Sequence, residues 1–413
     1  MKVLQVNCVY KKGSTGSIVF SIHSGLKQNG YGSVVCYGRG SDVSEKDVYK
    51  ISSEIEAKIH ALYARISGIQ YSSSFFATNR FINIIKKEKP DIVHLHCING
   101  YFVNIYRILD YLKMHNIYTV LTLHAEFMYT GNCGHSYDCE KWLTGCGNCP
   151  QLWKATKSIF LDRTSYAWQK MAEAFNGFNN LSVVSVSSWL SERAKKSPML
   201  KDKENIVIEN GIDTEDVFHS TNVSKLRKKY NIKDEKVILH VTASFSDKPD
   251  NAKGGHFIIK LAKRLINENI KFFVIGSYNK SIDLPENIIN VGRIDDRSEL
   301  ADFYSIADLT VITSKRETFS LPCAESMACG TPVVGFKAGG PETIALKNFS
   351  EFVEYGDLKK LLKAILDWIN KKRNMAIELE TAAGNRYSNT VMASKYLGLY
   401  NSIKYPHNGG VID

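Results

Sequence analysis

Short apolar runs rich in β-branched residues alternate with helix-periodic stretches in two successive series. This alternation restricts the chain to α/β designs built on parallel sheets. The first series opens with KVLQVNCV and continues through SVVCYG, DIVHLHC, YTVLTLH and LSVVSVS to ENIVIENGID. After KVLQVNCV, a Gly/Ser loop leads into SIVFSIHSGLKQNG. There Ile18, Ile22 and Leu26 recur at helical spacing, and Gly30 is placed to end the helix. The second series starts near residue 235 and comprises VILHVTA, IKFFVIG, NIINVG, LTVITS and PVVGF. Helical stretches such as HFIIKLAKRLINEN and ELADFYSIA separate them. The expected fold is therefore two Rossmann-like doubly wound domains facing a cleft, with the active site at the carboxyl ends of the strands. Residues 1–215 form the first domain and 216–388 the second. Residues 389–413 are expected to form a helix that packs back on the first domain.

The length of 413 residues exceeds one ordinary core. No apolar run approaches the roughly 18 residues of a membrane span. The opening MKVLQVNCVYKK reads as a strand rather than a secretory signal. The expected compartment is the cytoplasm, where the nine cysteines stay reduced. The net charge of +11 is uneven: residues 1–120 hold 15 Lys and Arg against 8 Asp and Glu, whereas residues 121–213 balance at 10 and 10. A basic first region points to an anionic partner, and without a nucleic-acid motif the expectation is no nucleic acid.

The densest chemical signal is SKRETFSLPCAESMACG at residues 314–330. Glu317 and Glu325 form E-x7-E, one on the loop after a strand and the other on the following helix. That helix N-terminus suits a diphosphate. Glu325 can then bind the hydroxyl pair of a ribose, and Glu317 faces whatever the phosphate carries. Lys253-Gly254, after the first strand of the same domain, supplies a cation for the leaving diphosphate. Gly339-Gly340-Pro341-Glu342 follows another strand of that domain. The plain alternative is a capped surface helix with incidental acids and a solvated lysine.

Taken together, these motifs resemble the donor site of the retaining glycosyltransferases of family 4, which have the B-type, two-domain fold. The resemblance spans nearly the whole chain. Gly13-Ser14-Thr15-Gly16 matches the loop after the first strand, His124 the family's cleft histidine, and Asn210-Gly211-Ile212-Asp213 its N-G-I-D turn. The arrangement is most similar to enzymes that build colanic acid and capsular polysaccharides. The resemblance implies a nucleotide-diphosphate sugar as donor and a glycan, or undecaprenyl-linked glycan, as acceptor. It implies retention at the anomeric carbon without a catalytic metal, in keeping with the absence of a D-x-D pair. On this reading Glu317 orients the sugar, Lys253 and the amides near Ser320 and Leu321 hold the diphosphate, and His124 contacts the sugar. Gly13 and Gly16 approach the donor, and Arg293-Ile294 forms the base-binding loop. Two features depart from the family: VTASFSDKPDNAKGG lacks the usual arginine, with Lys248 as a substitute, and Ser320 stands where glycine is usual. Other readings are a sugar-nucleotide epimerase of the same fold and a non-catalytic, zinc-stapled binding protein.

Two features fall outside this pattern. Residues 133–150, CGHSYDCEKWLTGCGNCP, crowd Cys133, Cys139, Cys146 and Cys149 together, with His135 as an alternative ligand. A four-thiolate zinc site would be closed and structural. Reduced buried thiols come next in preference and disulfides last. Residues 55–66 place Ile55, Ile59, Leu62 and Ile66 on one helical face with Lys58 and Arg65 nearby. That face either packs on a core or lies on an anionic membrane at the inner face of the cell.

Overall fold

The computed structural model describes residues 1–279 and 281–405. The chain divides into two compact units, one of Met1–Glu209 joined by the chain from Met392, the other of Asn210–Val391. In the first unit the order is β1 (Lys2–Asn7), α1 (Gly13–Gln28), β2 (Gly32–Tyr37), β3 (Val48–Lys50), α2 (Glu54–Ser67), α3 (Phe75–Glu88), β4 (Ile92–Leu95) and α4 (Ile105–Met114). It continues with β5 (Tyr118–Leu123), α5 (Thr164–Phe175), β6 (Leu181–Ser185), α6 (Ser188–Lys196) and β7 (Glu204–Val207). The sheet is parallel, in the order β3-β2-β1-β4-β5-β6-β7. Strands β4 and β6 are buried along their whole length, which is why their sequences are apolar without alternation.

The second unit contains α7 (Ser224–Lys229), β8 (Lys236–Phe245), α8 (Gly255–Arg264), β9 (Ile270–Tyr278), β10 (Ile288–Gly292), α9 (Arg297–Ile306) and β11 (Leu309–Ile312). It continues with α10 (Leu321–Ala328), β12 (Val333–Phe336), α11 (Gly340–Ile344), β13 (Ser350–Val353), α12 (Leu358–Trp368) and α13 (Lys372–Tyr387). Its parallel sheet runs β10-β9-β8-β11-β12-β13. Both units thus start at a central strand, wind outward one way, then return and wind the other. Each has a switch point at its centre, between β1 and β4 and between β8 and β11. The two strands that sequence periodicity did not reveal, β3 and β13, lie at sheet edges, where fewer neighbours impose an apolar pattern.

The last helix, α14 (Asn389–Lys404), ends within the first unit. Met392, Tyr396, Leu399 and Tyr400 share a core with Val3, Ile18, Ile22, Ile92 and Val120. The two tyrosine hydroxyls reach into the sheet. Tyr400 Oη lies 2.6 Å from His94 Nδ1, and Tyr396 Oη lies 2.9 Å from Thr122 Oγ1. Lys404 closes the end with a 2.7 Å ion pair to Asp91. Replacing Tyr396 by Ala should remove about 3–5 kcal/mol of stability, as for other buried aromatic truncations. Tyr400→Phe should cost about 1–3 kcal/mol by stripping a partner from buried His94. Urea denaturation of both variants checks this; unchanged midpoints would mean that α14 is dispensable to the first unit.

Candidate functional site

At the switch point of the second unit, the loops after β8 and β11 are fastened to each other. Thr313 Oγ1 is 3.1 Å from the Lys253 carbonyl oxygen and 3.0 Å from that of Gly254, and donates to them. The Lys315 amide donates to the Ala252 carbonyl at 2.7 Å. Gly254 has φ +70°, and a Cβ there would collide with the Thr313 carbonyl oxygen. Only glycine meets both conditions, which explains the Lys-Gly pair. The result brings Lys253 Nζ to 2.7 Å from Glu317 Oε1. Ser314 Oγ donates to the same oxygen at 2.8 Å.

The Glu317 backbone is held from the third side. Its amide donates to the Ala338 carbonyl at 3.0 Å, and its carbonyl accepts from the Gly340 amide at 2.8 Å. Gly340 lies against Thr318 and Phe319 with no room for a Cβ. Glu342 closes that turn by accepting from the Ala338 and Gly339 amides at 2.9 and 2.8 Å. Lys253-Gly254 and Gly339-Gly340-Pro341-Glu342 therefore both meet Glu317 of the E-x7-E pair, the first at its carboxylate and the second at its backbone.

Ser320 caps α10 with φ 86° and ψ 85°. A left-handed conformation costs an L-residue on the order of 1–2 kcal/mol. Glycine would adopt this conformation without that cost, whereas here a serine holds it. Leu321 opens α10 and Pro322 sits in its first turn, where a missing amide hydrogen is harmless. Glu325 is buried on α10, and its Oε2 accepts from the buried Tyr304 hydroxyl at 3.0 Å. Burial raises its pKa, opposed by the Arg297 charge and the Tyr304 hydrogen bond. Arg293 and Ile294 follow β10 at the sheet edge, two strands from β8, where Arg293 forms an exposed 2.8 Å pair with Asp295. Lys248 is exposed on the loop after β8.

In the first unit, Gly13 opens α1 with φ +64°, and Gly16 is packed against Val9 and Lys11. His124 directly follows β5, and its Nε2 lies 3.2 Å from His96 Nδ1. The other nitrogen of His96 is 3.2 Å from Gln5 Oε1. His94 and His96 stack at 3.8 Å between ring centroids. The apolar pattern of DIVHLHC predicts a strand and nothing more. The i, i+2 spacing of its histidines puts both on one face, and this was the overlooked sign of a polar column inside the sheet.

The four cysteines line one cavity of about 20 Å³, room for one ion or one water but not for a sugar nucleotide. Among the described residues, no three His, Cys, Asp or Glu side chains stand at metal-ligating spacing. Burial pushes the Cys133 thiol up to about 12 and Cys146 up to about 11, so neither is an activated nucleophile. The lobe is anchored through Glu126, whose carboxylate accepts from the Ser136 amide at 2.7 Å and pairs with Arg193 at 2.6 Å.

Comparisons with known proteins bear on the fold and family of the chain. Residues 15–216 match the family described as Glycosyltransferase Family 4, and residues 222–386 match Glycosyl transferases group 1. The chain is a GT-B glycosyltransferase. The transferase is 20% identical to a protein of Escherichia coli K12 named as the colanic acid biosynthesis glycosyl transferase WcaC, over 98% of this chain and all of that one. It is 24% identical to N-acetyl-alpha-D-glucosaminyl L-malate synthase of Bacillus anthracis, over 51% of this chain and 57% of that protein. Its fold is similar to sucrose-phosphate synthase from Thermosynechococcus elongatus, with a TM-score of 0.69 and 16% identity over 98% and 100% of the two chains. Anabaena HepE, solved in complex with UDP-glucose, gives a TM-score of 0.62 at 16% identity over 97% and 100%.

The transferase should lose stability in mild acid. Burial lowers His23, His60, His124 and His240 to about 4, and it holds His94 and His96 well below the ordinary range. These groups stay neutral in the folded state, while the unfolded chain takes up protons below about pH 6.5. Stability is therefore full above that value and falls as pH drops from 6.5 towards 4. The slope approaches about 1.4 kcal/mol per pH unit for each histidine kept neutral. Urea midpoints between pH 7.5 and 5 measure it; a flat profile would contradict the buried neutral histidines.

Proposed function

We propose that the chain is a retaining glycosyltransferase that moves a hexose-type sugar from a UDP-sugar, without a catalytic metal, to a glycan or undecaprenyl-linked glycan of a surface polysaccharide such as a capsule or O-antigen. The reading puts the enzyme in the cytoplasm, where such donors are found. The observation that carries it is the Lys253–Glu317 pair at the switch point, beside the N-terminus of α10. Lys253 exchanges its bond to Glu317 for one to the donor diphosphate, aided by the first amides of α10 near Ser320 and Leu321. Glu317, released from the lysine but still held by Ser314, steadies the positive charge that develops at the anomeric carbon. Tyr304 occupies one oxygen of Glu325, and the other accepts from the ribose hydroxyls. Arg293 and Ile294 contact the base. The acceptor hydroxyl attacks on the leaving-group face, and its proton passes to a phosphate oxygen as the glycosidic bond to UDP breaks. A colanic acid enzyme among the relatives supports the polysaccharide acceptor.

The two glutamates should separate kinetically. Glu325→Gln should raise the donor KM and weaken UDP binding, the mark of an interaction made equally in ground and transition states. Glu317→Gln should leave UDP affinity nearly intact and lower kcat by roughly 10²-fold, about 3 kcal/mol of transition-state stabilisation. Lys253→Ala should weaken UDP far more than uridine. Calorimetry and steady-state kinetics read all three. Loss of UDP affinity with kcat retained in Glu317→Gln would reverse the donor's orientation, and three variants like the wild type would remove the site.

We further propose that Cys133, Cys139, Cys146 and Cys149 hold a structural zinc, since all four line one ion-sized cavity. Binding would draw the sulfurs together from their present spacing. Protein purified under reducing conditions should carry about one zinc per chain. Cys146→Ser should lower the melting temperature before it alters UDP affinity. Metal-free protein of full stability with four titratable thiols would refute the assignment.

A further inference from the structure

Helix α2 turns its small side to the protein. Its buried residues are Ala57, His60 and Ala64. On the opposite stripe, Ile55, Ile59, Leu62 and Ile66 are 71%, 62%, 57% and 53% exposed. Of the two readings of this face, packing on a core is excluded. A surface helix ordinarily buries its large aliphatics and shows water its polar side. The reversal is not fraying, because both ends are secured. Ser53 and Glu56 form a reciprocal capping box, and Gly68 ends the helix in the left-handed conformation.

The apolar surface extends to both sides of α2. The Ile159 amide donates to the Arg65 carbonyl at 2.9 Å, and Gln70 Nε2 donates to the Thr156 carbonyl. These bonds fasten the 153–161 segment beside the end of the helix, and there Trp153 and Phe160 are 68% and 78% exposed. His60 Nδ1 lies 2.7 Å from Ser74 Oγ, which sets exposed Phe75 and Phe76 beside the middle of α2.

The charge on this surface has one sign. Residues 57–66 and 153–163 contain Lys58, Arg65, Lys154, Lys157 and Arg163 against a single acid, Asp162. Asp162 accepts from the Cys149 amide and from Thr164. The acids at the start of α2 are also engaged, Glu54 by Arg39 and Glu56 by Arg80. Large aliphatics on a helix, flanking Trp and Phe, and a surrounding set of Lys and Arg match the chemistry of a bilayer interface with anionic headgroups.

We propose that this face docks the protein on an anionic lipid bilayer. Helix α2 lies in the plane of the headgroups, its aliphatic stripe at the acyl boundary and the basic side chains among the phosphates. No described helix is long and apolar enough to cross a membrane, and the seat is on the surface. The assignment is independent of the donor-site chemistry.

The test mixes the full-length protein with vesicles of phosphatidylcholine alone and with vesicles that also contain phosphatidylglycerol. Binding is expected only to the anionic vesicles and should weaken as salt rises. Trp153 emission should shift to the blue on binding, and Trp153→Phe should abolish that shift. Lys58→Glu with Arg65→Glu, and separately Ile59→Ser with Phe160→Ser, should each lower the bound fraction at least about tenfold. UDP affinity and melting temperature should stay unchanged, which separates this outcome from misfolding and from failure of the donor site. Equal binding to both vesicles, or none to either, would overturn the proposal. A dimer that Leu62→Glu splits would also overturn it, by assigning the face to a second copy of the chain.

Discussion

The geometry at the second unit's switch point depends on one contact, the packing of Gly254 against the end of β11. Thr313 bonds both carbonyls of the Lys253-Gly254 turn, and no side chain fits between them. Parallel strands splay at a switch point, and the gap would otherwise be open to water. Here the gap is closed at its base and left chemically armed at its rim. The lysine ammonium meets the glutamate carboxylate where the loops diverge. Gly340, without room for a Cβ, packs against the Thr318 and Phe319 backbone of the loop that carries the glutamate. Such crowding is a form of preorganisation: the loops are ordered before any ligand arrives.

The two units share a strand order but use their switch points differently. The second is lined by opposite charges. The first carries a cluster of neutral histidines: His94 bonds Tyr400 and Thr122, His96 bonds His124 and Gln5, and the His94 and His96 rings pack against each other. Burial makes imidazolium unfavourable there, so the cluster contributes direction rather than charge. The cysteine lobe lies on the same chain segment as His124, yet its cavity is far smaller than a sugar. The crowded thiols that first suggest chemistry therefore enclose a space too small for a sugar nucleotide.

Much of this was legible in the sequence, for identifiable reasons. Central strands are covered on both faces and so are written as apolar runs; β1, β4 and β8 are examples. Glu317, Glu325 and Lys253 stand in motifs whose spacing reflects loops and a helix turn, which are local. What was not legible is non-local. The partnership of Lys253 with Glu317 spans 64 residues and depends on strand order. The histidine cluster needs β4 and β5 to be neighbours. Edge strands β3 and β13 carry little pattern because little packs on them. The α2 stripe was visible as a stripe, but its direction was not, since periodicity identifies a face without saying what the face meets.

The route of the chain has a consequence for how the protein is made. His94 and Tyr400 are bonded across 306 residues, and the core of the first unit includes side chains from the final helix. Contacts of such separation close late, because the intervening loop must be ordered first. During synthesis the second unit has all its strands and helices through α13 before α14 emerges. The first unit, although translated earlier, cannot finish burying β1 and β4 until α14 has been made. This arrangement runs against the usual order of vectorial folding, N-terminal domain first. For the length of the second unit's translation, the nascent protein exposes an incomplete apolar core to whatever holds unfinished chains.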